Sequence, residues 1–340
     1  MNIIFKAARK VYILVTTYSC VIGSFLLGRC SFAKLRAFLK DYTRQEYGIR
    51  CRKLGIKLKE RTHFNGKRIL TTDEANIFIG EAIERGEPFM VGRYGSAEFS
   101  KIWRVRDDGK GFIAPIGLSK KDAAGFFPKD KQTIIKFAEI MKWATQYVDL
   151  QGIWNPMEEY MLKTYGKNPE YCNLGSIEPY FSKYPWSAKL EGKKVLVISP
   201  FVESIPYQYA RRELIWPGKN ILPKFELMVQ RSIMILDDGK DSGFNDWFEA
   251  LDFMYNEAMS KDFDIAILGC GPYGFPLAAK FKAAGKIAIT FGGATQILFG
   301  IKGARWEQMD VFVKMFNENW IRPLEGKPKG YKKLDNGCYW

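Results

Sequence analysis

The chain carries a single histidine, His63, in 340 residues. That scarcity argues against a Ser-His-Asp hydrolase, where imidazole moves the proton. His63 lies in a polar, loop-like stretch, where a surface or structural role is expected. The six cysteines, Cys20, Cys30, Cys51, Cys172, Cys270 and Cys338, form no CxxC pair. With almost no imidazole beside them, a Cys/His metal centre is not expected. Reduced thiols in a cytosolic protein fit better. RNP, zinc-finger and basic-leucine-zipper patterns are missing, and the basic residues are scattered, so nucleic acid is not an expected partner. There is no internal repeat and no linker long enough to divide the chain into two domains.

What is present is a core-forming, basic chain. It is 47% hydrophobic and 15% aromatic, with a formal charge of +15 and a pI of about 9.4. That composition can bury one large core or two modest ones. A basic surface suits phosphates, nucleotides or anionic lipids.

Val11 to Gly28 has no charged residue; Arg9 and Lys10 precede it, and Arg29, Lys34 and Arg36 follow. The run reaches the ~18 residues of a transmembrane candidate, diluted by Thr16, Thr17, Ser19, Gly23 and Ser24. No small-residue cleavage site clearly follows it, so a removed signal peptide is the weakest option. A signal anchor, a membrane-surface helix and a buried helix of the fold stay open. Of these, membrane association at the cytoplasmic face is favoured, giving a cytoplasmic protein held at the inner face of the membrane.

The pattern predicts helices over Phe32 to Leu58, Thr72 to Arg85, from Ser96, and over Lys131 to Tyr147, Ile205 to Leu214, Asn245 to Met259 and Phe275 to Ala284. Pro156 is placed to open one more. Strands are expected at Phe89 to Val91, Val195 to Ile198, Phe263 to Leu268 and Lys286 to Phe291, with a short strand or loop at Gln151 to Asn155. Strand and helix alternate from Lys194 onward. The expected fold is therefore α/β, a Rossmann-like, mostly parallel sheet with helices on both faces, preceded by a helical N-terminal region. The expected layout is an apolar helix over residues 1–31, a basic helical segment over 32–71, the α/β unit over 72–321 and a basic tail over 322–340.

Gly269-Cys270-Gly271-Pro272-Tyr273-Gly274 is a literal GxGxxG between a strand and a helix, the order of a dinucleotide-binding turn. The next strand should end near an acid that holds a ribose, but it runs into Gly292-Gly293-Ala294-Thr295-Gln296. The turn suits phosphate, and not NAD in the usual way. Three other polar or glycine-rich segments follow strands: Gly92 to Glu98, Ser199 to Ser204 and Gly292 to Gln296. Ligands of open parallel sheets bind at strand carboxyl ends, so convergence of these segments would form one cleft. It would hold backbone N–H groups, Arg93, Ser96, Glu98, Glu203, Ser204, Thr295 and Gln296, with Lys302, Arg305 and Trp306 close behind. Each element also has a plainer reading. A GxGxxG turn can be only a tight turn, and Glu98 or Glu203 can merely complement a helix dipole.

The segments Gly92-Arg93-Tyr94-Gly95-Ser96-Ala97-Glu98, Ser199 to Ile205 with Gln208, and Asp264 through Gly274 to the run Gly292 to Gly303 resemble a bacterial glycosyltransferase family of GT-D fold, associated with capsule and exopolysaccharide synthesis. The resemblance covers roughly Thr72 to Trp340. It implies a transferase that takes a nucleoside-diphosphate sugar as donor and a glycan or lipid-linked acceptor. The resemblance implies donor binding near Gly92 to Glu98; with the strand-end segments, donor and phosphate contacts are expected at Gly92, Arg93, Tyr94, Gly95, Ser96, Gly269, Gly271, Tyr273, Gly274, Gly292, Gly293, Thr295, Gln296, Lys302 and Arg305. Better-known GT-D enzymes end the arginine-led segment in Asp-x-Glu, which supports a metal. Here Glu98 is kept and Ser96 replaces the aspartate, so either Mn²⁺ or Mg²⁺ is held mainly through the donor's diphosphate with Glu98, or Arg93, Lys302 and Arg305 take the metal's place. Glu98 and Glu203 are the expected catalytic carboxylates, Glu203 as the base for an inverting transfer. A non-catalytic sugar-nucleotide or polysaccharide-binding protein of the same fold, and a Rossmann-type oxidoreductase or methyltransferase, stay open as alternatives.

Overall fold

The structure is a computed structural model that describes residues 15–42, 44, 61–116, 125–234, 243–328, 330–333 and 337–340. A small antiparallel hairpin, β1 (His63–Phe64) with β2 (Lys67–Arg68), precedes the main sheet. That sheet has seven strands: β3 (Phe89–Gly92), β4 (Leu150–Ile153), β5 (Glu170–Asn173), β6 (Lys194–Ser199), β7 (Glu226–Arg231), β8 (Ile265–Leu268) and β9 (Ile287–Thr290). Their order is β5-β4-β3-β9-β8-β6-β7. Every pairing is parallel.

The central strands are apolar throughout because both sides of the sheet are covered. Met90, Leu196, Ile198, Ala266, Leu268 and Ala288 point into one core layer. Val91, Val195, Val197, Ile265, Ile267, Ile287 and Ile289 point into the other. The first layer is covered by helices Ser96–Ile102, Lys131–Thr145, Trp247–Met259 and Gly274–Ala283. Helices Thr72–Arg85, Ser204–Tyr209 and Ala294–Leu298 cover the second. Local signals start several of them. Thr71 and Glu74 form a reciprocal capping box, and Asp130 and Asp246 cap the helices that follow them.

The edge strands β5 and β7 were absent from the sequence pattern. Edge strands are half exposed, so polar residues interrupt any apolar run, as in Glu226–Arg231. The expected helix Ile205 to Leu214 is two short helices, Ser204–Tyr209 and Arg212–Ile215. Much of the expected helix from Phe32 to Leu58 lies outside the described residues; the described part is Phe32–Ala37 followed by a π-helical turn over Phe38–Tyr42.

The N-terminal run folds against the α/β unit. Residues 15–26 are helical. Val21 is buried, Tyr18 packs edge-on against Phe38, and Ser24 Oγ donates to the Ile113 carbonyl. Among the described residues no helix is long and apolar enough to cross a membrane.

From β3 to β6 along the sheet, each pair of neighbouring strands sends its chains to opposite faces. β3 leads to helix Ser96–Ile102 on one face, while its neighbour β9 leads to Ala294–Leu298 on the other. β8 and β6 diverge in the same way, to Gly274–Ala283 and Ser204–Tyr209. Such divergence opens a crevice beyond the strand ends.

Candidate functional site

A cleft of about 850 Å³ occupies that crevice, lined by the turns that follow β3, β6, β8 and β9. From β3, Arg93, Gly95, Ser96 and Glu98 reach it. Arg93 is half-buried, and its guanidinium lies 5.7 Å from the centre of the Trp154 ring. It crosses over Gly292, where an added Cβ would stand 2.1 Å from Arg93 Nη1. Gly292 also sits at φ +58°, a region that favours glycine. Gly292 is thus what lets one arginine serve the ends of both β3 and β9.

Gly95 is the N-cap of helix Ser96–Ile102, and Glu98 occupies the third position of that helix. An added Cβ on Gly95 would meet Glu98 Oε2 at 2.1 Å, so this carboxylate is folded back over the start of its own helix. Negative charge there complements the helix N-terminus. Glu98 still forms part of the cleft lip beside the exposed Ser96.

The glycine turn after β8 supplies Gly269, Gly271 and Tyr273 to the lining. A Cβ on Gly269 would come within 2.7 Å of Thr295 Oγ1, which explains the close approach of the two turns. Tyr273 stacks on Trp247 at 4.7 Å. After β9, Gly293, Thr295 and Gln296 line the cleft with Arg305. The C-terminal residues close this side. Gln296 Nε2 donates to the Tyr339 carbonyl at 2.9 Å, the Arg305 backbone N–H donates to the Cys338 carbonyl, and the Arg305 guanidinium lies 4.9 Å over the Tyr339 ring.

Four buried polar atoms of the cleft-lining residues have no protein partner: Tyr273 Oη, Thr290 Oγ1, Thr295 Oγ1 and Trp340 Nε1. Buried polar groups are normally paired. These four atoms are closed off from the open cleft as well, so they mark tight packing behind its lining.

One carboxylate of the cleft was invisible in the sequence pattern. Glu178 sits between two 3₁₀ turns beyond the edge strand β5 and lines the cleft. Burial pushes its carboxyl up to about 7, while the hydroxyl of Tyr180, which donates to Glu178 Oε2, and the charge of Arg93 pull the other way. Its signal was hidden because β5 was not recognised, so no strand end drew attention to it.

A second acid works from behind. Glu158 is fully buried and accepts from the Trp154 backbone N–H at 2.9 Å and from Asn155 Nδ2 at 2.8 Å. Burial pushes it up to about 8, against those hydrogen bonds and Arg93. Trp154 Nε1 in turn donates to the Tyr94 carbonyl at 2.8 Å. Glu158 thereby fixes the loop whose indole carries Arg93.

Several expected site residues lie elsewhere. Tyr94 is fully buried, stacks on Phe275 at 4.4 Å and hydrogen-bonds Thr145 Oγ1 at 2.7 Å, so its side chain belongs to the core. Gly92 is buried beneath Gln151, and Gly274 packs under Thr290; neither lines the cleft. Glu203 is exposed at the start of helix Ser204–Tyr209, with Arg231 Nη2 3.9 Å from its carboxylate, outside the lining. Glu325 covers that helix start, accepting from the backbone N–H groups of Glu203 and Ser204 and from the Ser204 hydroxyl. Lys302 also lies outside the lining, its ammonium 5.7 Å from the Phe316 ring.

Among the described residues no three His, Cys, Asp or Glu side chains gather as a metal-binding group. At the cleft lip the oxygen donors are one carboxylate, folded over its own helix, and the Ser96 hydroxyl. That set does not fit a protein-held Mn²⁺ or Mg²⁺, which takes six oxygen ligands in near-octahedral order.

No protein-family model matches the chain, and no curated protein matches it. Two solved structures are similar to it. One is the selenomethionine-substituted structure of domain of unknown function 1792, at 13% identity, covering 72% of this chain and 83% of that one with a TM-score of 0.41. The other is a domain of unknown function 1792 described as having a distinct glycosyltransferase fold, at 14% identity, covering 79% of this chain and 94% of that one with a TM-score of 0.43.

Proposed function

We propose that this protein is a glycosyltransferase that moves a sugar from a nucleoside-diphosphate donor to a glycan acceptor in cell-surface polysaccharide synthesis. The observation that carries the reading is one cleft at diverging strand ends that combines two guanidinium groups with closely packed glycine turns. Arg93 and Arg305 would neutralise the diphosphate, with backbone N–H groups of the turns at Gly269–Gly271 and Gly292–Gly293 beside them. Ser96 and Glu98 stand at the lip, where the ribose or sugar would lie.

Glu178 replaces Glu203 as the proposed base, because Glu178 lines the cleft and Glu203 does not. In an inverting transfer the acceptor oxygen bonds to the anomeric carbon and its proton passes to Glu178. The bond from that carbon to the diphosphate oxygen breaks, and the electron pair leaves with the diphosphate. Arg93 and Arg305 act where that negative charge develops.

The test is a mass-spectrometric screen of UDP-, GDP- and dTDP-sugars with the wild type and Arg93→Ala, each checked for folding. Loss of one such contact should slow transfer by roughly 10²–10³. Unchanged transfer in Arg93→Ala would move the reaction out of this cleft. EDTA treatment addresses a metal carried in by the donor, and a loss restored by Mn²⁺ would add one beside Glu98. The Ser96 position keeps one other reading in view: donor binding without turnover across donors and acceptors would make this a sugar-nucleotide-binding protein.

A further inference from the structure

We propose that the N-terminal segment from residue 15 to 40 docks this protein, lying flat, on an anionic bilayer surface. The helix over residues 15–26 has two unlike sides. Thr17 and Val21 are buried, and Ser24 is tied to the Ile113 carbonyl at 3.1 Å. Val15, Ile22 and Leu26, which share the opposite stripe at helical spacing, are 57%, 42% and 76% exposed. Leu27 and Phe32 continue the stripe at 67% and 68%, and the Phe25 and Phe32 rings sit 6.1 Å apart, which joins the two helical pieces into one patch.

This concentration is unusual for the molecule. Of the sixteen large apolar side chains exposed among the described residues, six (Val15, Ile22, Leu26, Leu27, Phe32 and Leu39) fall between positions 15 and 39. Contiguous apolar surface of this kind marks an interaction site. The charge around it selects the partner. The sequence has no Asp or Glu before Asp41, and Arg29, Arg36 and Lys40 are exposed along the patch. Lys40 is paired with Glu159 and Lys34 with Asp107, which leaves Arg29 and Arg36 as the exposed cations flanking the apolar side chains, a pattern that matches an anionic lipid interface. They match a second copy poorly, because the chain carries +15 and its N-terminal segments would repel each other. A spanning helix is also a poor match, because the inward side of residues 15–26 is already packed on the protein.

The patch sits close to the cleft. Phe38 packs at 5.6 Å against Trp103, the C-cap of helix Ser96–Ile102, and the first turn of that helix forms the cleft lip. Seven helical residues span about 10 Å. Docking would hold the lip near the lipid headgroups, where a lipid-linked acceptor presents its sugar; that consequence, unlike the docking, rests on the proposed transfer.

The experiment uses the full chain, with phosphatidylglycerol-containing vesicles and pure phosphatidylcholine vesicles in flotation. A basic chain adsorbs to anionic lipid through charge alone, so the decisive variant is apolar: Leu26→Ser, Leu27→Ser and Phe32→Ser together. All three side chains are exposed, so thermal unfolding should be unchanged. Wild type should float with the anionic vesicles, and the triple variant should bind them at least about tenfold more weakly at equal salt. Equal binding by both proteins, or no wild-type binding, would overturn the proposal. So would a wild-type dimer in light scattering that the triple variant converts to monomer, since the patch would then serve a second copy. Because the readout is vesicle binding, its outcome is independent of whether any sugar is transferred.

Discussion

Arg93 lies where a side chain on Gly292 would be: an added Cβ would stand 2.1 Å from its Nη1. The guanidinium is fixed between the end of β9 and the indole of Trp154, whose backbone N–H is held by the buried Glu158. One cation is thus positioned by residues from two other parts of the chain.

Gly292→Ala should therefore act twice. The left-handed backbone at φ +58° would cost about 1–2 kcal/mol of stability, measurable by chemical denaturation. The displaced Arg93 should weaken binding of UDP or another nucleoside diphosphate by more than that strain accounts for. A variant that is destabilised yet binds nucleotide as tightly as wild type would show that Arg93 does not clamp the phosphates.

The pH dependence of Glu178 has opposite signs for activity and stability. A base must be ionised, so transfer should rise with pH through about 7 and level off above it. In Glu178→Gln the rising limb should vanish, with the rate down roughly 10²–10⁴. The ordinary glutamate value is 4.5, and the folded value is about 7. The folded protein therefore holds a proton that the unfolded chain has lost between those values. Stability gained from keeping that proton is fully present below about 4.5 and falls away as pH climbs to about 7. Glu178→Gln should gain stability over wild type above pH 7 more than at acid pH. Denaturation midpoints at both ends of the window check this.

Glu203 and Glu325 should separate cleanly. Glu203→Gln removes an exposed carboxylate outside the cleft and should leave transfer within about twofold, since exposed ion pairs contribute little. Glu325→Ala strips three hydrogen bonds from the start of helix Ser204–Tyr209 and should destabilise the fold by about 1–3 kcal/mol. A large catalytic loss in Glu203→Gln with the fold intact would return the base to that helix.

Tyr94→Phe removes the buried hydrogen bond to Thr145 while keeping the stack on Phe275. A loss of about 1 kcal/mol in stability with unchanged nucleotide affinity is expected. A fall in affinity without a fall in stability would place the phenol in the donor's path.

The sequence by itself determined the central strands and the segments that follow them. β3, β6, β8 and β9 are covered on both faces, so they read as uninterrupted apolar runs, and the turn residues after them stand out as glycine-rich or polar. Arg93, the GxGxxG turn and Gly292-Gly293 were all legible on that ground. Periodicity reports only which way a side chain faces its own layer. Strand order, made by long-range pairing, decided that β3 lies beside β9 and that Arg93 therefore meets Gly292. It set Glu178 on the cleft from beyond an edge strand too polar to recognise, and left Glu203 and Lys302 outside. At the N-terminus the apolar run was plain in the sequence. Tertiary packing alone selected which of its sides is buried, because Val21 entered the core, Tyr18 packed on Phe38 and Ser24 bonded Ile113, while Leu26, Leu27 and Phe32 stayed exposed.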